Sequence, residues 1–190
     1  MLMRRRCEEV EPESPPPDSD PEDDWTHSSF MSLCLSSSAR LCFRGHAEVV
    51  SKLLESGADV TATDKLDTTC LHAACRGGNP AVLRMLLQKG ANITALDKLD
   101  STPLHVSVRA GHQSCTELLI QSGASVNSQD KEGDSPLHDA VRLNRTNMIQ
   151  LLLRHGAHRH LTNTEEQTPL DLVVQWQLDI RAILEQHQNN

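Results

Sequence analysis

Leucine recurs at a fixed spacing along most of the chain, just after a position that holds a hydroxyl residue. The four leucines are Leu71, Leu104, Leu137 and Leu170, and they stand 33 residues apart. A second apolar group follows in each period with residues three and four positions apart, as in Val82, Leu83, Leu86 and Leu87. This spacing predicts an amphipathic helix, so each period predicts a pair of short helices. A chain that repeats one such unit forms a stack and not a globule around a central pocket.

The residues that begin and end these helices keep the same period. The first helix is predicted to start at a capping hydroxyl, followed by proline at the first helical position, with Cys70 as the exception. The caps are Thr69, Thr102, Ser135 and Thr168, and the prolines are Pro103, Pro136 and Pro169. The second helix is predicted to end at a glycine that takes a left-handed backbone. These glycines are Gly57, Gly90, Gly123 and Gly156, and the turns between units open at Asp64, Asp97 and Asp130.

The period divides the chain into six segments. Residues 1–30 form an acidic, proline-rich tail that we expect to be disordered. Residues 31–63 are a partial first repeat, because Ser36, Ser37, Ser38 and Ala39 replace the T-x-L-H of the others. Complete repeats span 64–96, 97–129 and 130–162, and 163–190 is a truncated C-terminal capping repeat. The predicted fold is an all-α repeat solenoid of helix–turn–helix units joined by hairpin-like turns.

Charge and composition narrow the class of protein. The tail holds nine acidic residues and three arginines, which leaves only −2 of the total charge of −8 for the other 160 residues. A nearly neutral body argues against a general nucleic-acid binder. No apolar run reaches the length of a membrane span. The six cysteines have no disulfide-framework spacing and indicate an intracellular protein. Ser19 is interpretable as an acidic-directed phosphorylation site or as part of a solvated tail.

Two rows of basic residues recur with the period and define a candidate partner-binding surface. Arg76, Arg109 and Arg142 lie near the end of the first helix, and Lys65, Lys98 and Lys131 lie in the turns. Leu66 and Leu99 follow two of the lysines, and Trp176 lies one place beyond the arginine position of the last repeat. Guanidinium groups bind carboxylates and phosphates in a bidentate manner, and Trp and Arg are enriched in interface hot spots.

A second interpretation of these positions stays open. Asp67, Asp100 and Asp134 closely follow the turn lysines, so the turns are also interpretable as solvated mixed charge. Exposed ion pairs of that kind contribute only about 0–1 kcal/mol each. Trp176 is equally compatible with covering the end of the core.

The histidines predict structural roles. His72, His105 and His138 follow the repeated leucines, and we expect each to hydrogen-bond the neighbouring turn. Equivalent copies face successive turns and not one point, so neither a catalytic nor a metal role is predicted. His155, His158 and His160 occupy solvent positions without residues to complete a zinc set. No nucleophile–base pair, phosphate loop or paired acid is evident, which predicts no enzyme and no cofactor.

The repeated unit resembles the ankyrin repeat, and three stretches resemble a narrower family. These are DKLDSTPLHVSVRAGH at 97–112, DKEGDSPLHDAVRLNR at 130–145 and TPLDLVVQWQ at 168–177. They are similar to the muscle ankyrin-repeat proteins, the group that includes the cardiac ankyrin-repeat protein, over about residues 42–186. The resemblance implies a non-enzymatic scaffold of striated muscle that docks the elastic I-band segment of titin on a concave face of turn tips and inner helices.

The same resemblance implies alternatives. One is a nuclear transcriptional cofactor that acts through a DNA-binding partner such as the Y-box protein, without contacting nucleic acid itself. Another, from ankyrin proteins in general, is an inhibitor that masks a signalling enzyme. The implied locations are the sarcomeric I-band in the cytoplasm and the nucleus. Residues 1–41 match neither the helical, partly coiled-coil N-terminal region nor the further complete repeat of the muscle family, so the oligomeric state stays open.

Overall fold

The protein is described by a computed structural model that covers residues 38–175 and 177–186. Residues 38–44 are helical. The helices that follow are α1 (Ala47–Glu55), α2 (Cys70–Gly77), α3 (Pro80–Gln88), α4 (Pro103–Ala110), α5 (Gln113–Gln121), α6 (Pro136–Arg142), α7 (Thr146–Arg154) and α8 (Leu178–Gln186). This arrangement confirms the predicted all-α repeat solenoid. None of the described helices has the length and apolar character needed to cross a membrane.

The helices form two layers. Inner helices α2, α4 and α6 pack in succession against one another, and outer helices α1, α3, α5 and α7 pack behind them. The repeated leucines of the complete repeats, Leu71, Leu104 and Leu137, are at most 1% exposed between the layers. Cys75 and Cys115 are fully buried free thiols among these apolar side chains, as their positions predict.

In the complete repeats, the inner helices begin at the predicted capping residues and the outer helices are followed by the predicted glycines. Thr69 and Thr102 cap α2 and α4, and each forms a reciprocal capping box with the histidine three residues later. After the outer helices the backbone turns left-handed at glycine, with φ of 95° at Gly123. Glycine takes this conformation without the steric cost that a Cβ would add.

The last repeat differs from the prediction. Thr168 was expected to cap a helix starting at Pro169, but residues 169–172 form turns. The Thr168 hydroxyl instead donates to Asp171 at 2.6 Å, and the Asp171 N–H bonds back to the Thr168 carbonyl. Helices this short are marginal in water, so capping residues and a proline do not by themselves ensure that one forms.

Candidate partner-binding surface

Buried histidines join each repeat to the turn of the next. His105 Nδ1 accepts from the backbone N–H of Thr102 at 3.2 Å, which leaves the proton on Nε2. Nε2 then donates to the carbonyl oxygen of Asp134, 3.1 Å away in the next repeat. His72 and His138 make the same contact with the carbonyls of Ser101 and Gln167. The predicted role of these three histidines is thereby confirmed.

The tips of successive turns are joined by backbone hydrogen bonds. The N–H of Lys98 donates to the carbonyl of Leu66 at 3.0 Å, and that of Lys131 donates to Leu99 at 2.9 Å. Inside each turn, the aspartate that opens it accepts two backbone N–H groups, as Asp97 Oδ1 does from Leu99 and Ser101. The turn side chains therefore stand in a regular row, one repeat apart.

This row exposes both charge and apolar surface. Lys65, Lys98 and Lys131 are exposed, and Leu66 and Leu99 are each 59% exposed. Among the residues that the structure describes, no carboxylate lies within 4.0 Å of these lysine nitrogens. The row therefore suits a partner that offers both apolar and acidic side chains, because its two leucines are exposed and the ammonium groups beside them are unpaired.

Arg109 is held in place by side chains of its own chain. Its guanidinium contacts Asp130, the Asp139 carboxylate at 2.7 Å and the Ser101 hydroxyl at 2.7 Å. Asp139 is almost fully buried, and burial raises its pKa to about 6, although the Arg109 charge acts in the opposite direction. Most of the Arg109 N–H donors therefore bond within the stack, and the side chain is only 31% exposed.

Arg142 is paired as well, although it remains more exposed. Its guanidinium lies 2.6 Å from Asp134 and 3.7 Å from Asp139. Asp134 is fully buried, so the interpretation of this residue as solvated turn charge beside Lys131 is wrong. Side-chain contacts explain why, because the Asn163 side-chain amide donates to the Asp134 carboxylate and the Arg142 guanidinium pairs with it.

Arg76 is the exception in the row. It is exposed, and no described carboxylate lies within 4.0 Å of it. Part of the difference lies in the sequence, because Val106 of the next repeat holds the place of Asp139. Asp97 does hold the place of Asp130, but its carboxylate lies more than 4.0 Å from the Arg76 guanidinium nitrogens. Trp176, the last residue predicted for this surface, lies outside the described residues.

The ends of the helices that carry the arginines are anchored by side chains of the following repeat. His112 Nε2 donates to the carbonyl of Arg76 at 3.2 Å, and Arg145 Nη2 donates to that of Arg109 at 3.0 Å. These bonds satisfy carbonyl groups that the last turn of a helix leaves unpaired. Arg76 thus projects from a fixed backbone while its side chain stays available.

Sequence reasoning missed the acidic half of this site. Asp130, Asp134 and Asp139 enclose Arg109 and Arg142, yet Asp130 was assigned only to a turn and Asp139 to no role. A signal was present, because Asp139 falls where the two preceding repeats have Val106 and Ala73. An acid at a buried apolar position calls for a cationic partner.

The cluster of His155, His158 and His160 is exposed on the outer side.

Comparison with known proteins identifies the repeats. Residues 38–130 match a family model described as "Ankyrin repeats (3 copies)", and residues 119–173 match one described as "Ankyrin repeats (many copies)". Together the two matches extend over residues 38–173. A search of curated proteins finds no match to the chain.

Proposed function

The chain belongs to the ankyrin-repeat family, whose repeats are protein–protein interaction modules, and we propose that it is a non-enzymatic scaffold that binds an extended anionic segment on its concave surface. Following the resemblance to the muscle ankyrin-repeat proteins, the proposed partner is the elastic I-band segment of titin in striated muscle. The proposed locations are the sarcomeric I-band and the nucleus.

One observation carries this proposal. Lys65 and Lys98 are exposed and unpaired among the described residues, beside Leu66 and Leu99 on turns that are joined by backbone bonds. Arg76 is also exposed and unpaired among the described residues, in the last turn of inner helix α2. Such a row supports an extended segment that runs across successive repeats. Its apolar side chains would cover the leucines while its carboxylates or phosphates meet the cations.

The geometry assigns different contributions to the arginines of the predicted surface. Arg76 offers its full guanidinium to a partner, whereas Arg109 and Arg142 are partly satisfied by Asp130, Asp134 and Asp139. We propose that Arg76 and the turn lysines provide most of the attraction. Arg109, Arg142 and Lys131 then extend the surface toward the C-terminal repeats.

A direct binding measurement with the full chain tests this proposal. We expect Arg76→Glu to weaken binding of a recombinant titin I-band segment roughly 10- to 100-fold, the range of a charge-assisted hydrogen bond. The matched control is Arg84→Glu, an exposed arginine on outer helix α3 of the same repeat, which should leave affinity unchanged. If the two variants weakened binding equally, the concave surface would not be the binding site.

Arg109→Glu is a poorer test. It would place a third carboxylate beside Asp130 and Asp139, so lost binding would be mixed with lost stability. The second variant is therefore Leu66→Ser with Leu99→Ser, compared with Leu178→Ser, which alters another well-exposed leucine. If the titin segment does not bind but a Y-box protein does, with the same sensitivity to Arg76→Glu, the transcriptional alternative replaces the sarcomeric one.

A further inference from the structure

The first repeat exposes apolar positions that every later repeat buries. Val49 on α1 is 44% exposed, whereas its equivalents Val82, Cys115 and Met148 are 0%, 0% and 3% exposed. Leu53 is partly buried, while Leu86, Leu119 and Leu152 at the same position are at most 1% exposed. In the later repeats this side of the outer helix packs on the preceding repeat.

Two charged residues of the first repeat lie on the same side of it as Val49 and Leu53. Arg40 holds the place of Asp139, which contacts Arg109 of the repeat before it. Arg44 holds the place of Gly77, where an added Cβ would meet the Phe43 carbonyl of the repeat before it. Both arginines are exposed, and no described carboxylate lies within 4.0 Å of either. We call Arg40, Arg44, Val49 and Leu53 the open end face.

We propose that residues 25–35 of the same chain cover the open end face and act as its cap. This segment reads WTHSSFMSLCL and is the most apolar stretch of the first 37 residues. Trp25 and Phe30 are two of the four aromatic residues in the whole chain. Repeat stacks need a terminal cap, since an end repeat otherwise leaves its apolar interface in water.

Chain geometry and charge favour this occupant. Residue 38 begins the helix that carries Arg40 and Arg44 of the open end face, so the capping segment ends within a few residues of its target. Extended chain from residue 25 to residue 38 spans up to about 40 Å, several times the width of a helix. Residues 18–24 add Asp18, Asp20, Glu22, Asp23 and Asp24, which complement Arg40 and Arg44.

A second copy of the chain fits the face less well. Two open end faces related by a two-fold axis would bring the Arg40 and Arg44 charges of one copy toward those of the other. Like charges across an interface oppose association. The acidic stretch of the same chain meets the same arginines with opposite charge and without the loss of translational freedom that association costs.

Fluorescence of Trp25 in the full chain tests the proposal. The background variant Trp176→Phe makes Trp25 the sole tryptophan. We expect acrylamide to quench Trp25 several-fold less in the folded chain than in urea. Val49→Asp should abolish that protection, and Val174→Asp is the matched control because Val174 is 46% exposed at the other end of the stack. Far-UV circular dichroism establishes that both variants keep their helices.

Three results would overturn the proposal. The first is quenching of Trp25 in the folded chain as efficient as in urea. The second is protection that survives both Val49→Asp and the charge reversal Arg40→Glu with Arg44→Glu. The third is protection that disappears on dilution, which would assign the open end face to a second copy. Each outcome concerns only this face and is independent of binding on the concave surface.

Discussion

His105 Nε2 lies 3.1 Å from the backbone carbonyl oxygen of Asp134 and donates a hydrogen bond across the boundary between two repeats. The ring is fully buried, and burial lowers its pKa to about 4. The same bond recurs at His72 and His138, whose pKa values are also lowered by burial. Register between repeats thus depends on neutral imidazoles.

Acid should therefore destabilise the stack before the carboxylates titrate in the unfolded chain. Unfolding returns the pKa of His105 from about 4 to 6.5. Between these values the unfolded chain binds more protons, so the free energy of unfolding falls as pH decreases from about 6.5 toward 4. Over this whole pH range, the shift in the pKa of His105 lowers the free energy of unfolding by roughly 3 kcal/mol. Urea unfolding at about pH 7, 6 and 5 measures the loss.

Asp139 acts in the opposite direction over part of this range. Its pKa of about 6 lies above the ordinary 3.8, so the folded chain keeps a proton that the unfolded chain releases. This adds stability as pH falls from about 6 toward 4. The pKa values of all three buried histidines are shifted in the direction that makes acid destabilising, so His105→Gln should reduce the acid sensitivity. An unchanged pH dependence in that variant would contradict the assignment of the effect to His105.

Leu104 is a direct test of the repeat core. The side chain is 1% exposed between α4 and its neighbours, so Leu104→Ala should lower the free energy of unfolding by roughly 2–5 kcal/mol. Leu99→Ala is the matched control, since Leu99 is 59% exposed and its loss should cost little. Thermal or urea unfolding compares the two. A melting curve that Leu104→Ala leaves unchanged would refute burial at this position.

The ion pair between Arg109 and Asp139 should couple two repeats energetically. Removal of Asp139 alone leaves the half-buried Arg109 guanidinium short of a partner, whereas removal of both residues does not. A double-mutant cycle with Arg109→Ala and Asp139→Ala should give a coupling energy of about 1–3 kcal/mol. A value near zero would show that the pair behaves like an exposed surface pair.

The first repeat should open more readily than the central ones. Ala39 stands where His72 and His105 cross to the next turn, so the first repeat has no equivalent bridge to the Thr68 carbonyl. Amides of α1 should therefore exchange with deuterium faster than those of α4. Ser38→Leu with Ala39→His restores the L-H pair and should slow exchange in α1. No change in α1 would contradict a limiting role for the missing histidine.

The sequence by itself determined the architecture of this protein. The 33-residue spacing of leucine, glycine and capping hydroxyls dictates paired short helices and their turns, because these are local preferences that each residue expresses with its neighbours in the chain. The histidine bridges cross from one repeat to the next, and they were predictable because their acceptor is a backbone carbonyl, which every residue type supplies.

Tertiary structure decided which members of the basic rows remain available. Arg76 and Arg109 are indistinguishable by position in their repeats, yet only Arg109 meets Asp130 and Asp139 from the following repeat. The exposure of Val49, compared with the burial of Val82, likewise depends on what packs in front of each repeat. Side-chain availability is a property of neighbouring repeats in space, and a periodic sequence assigns every copy the same position without specifying those neighbours.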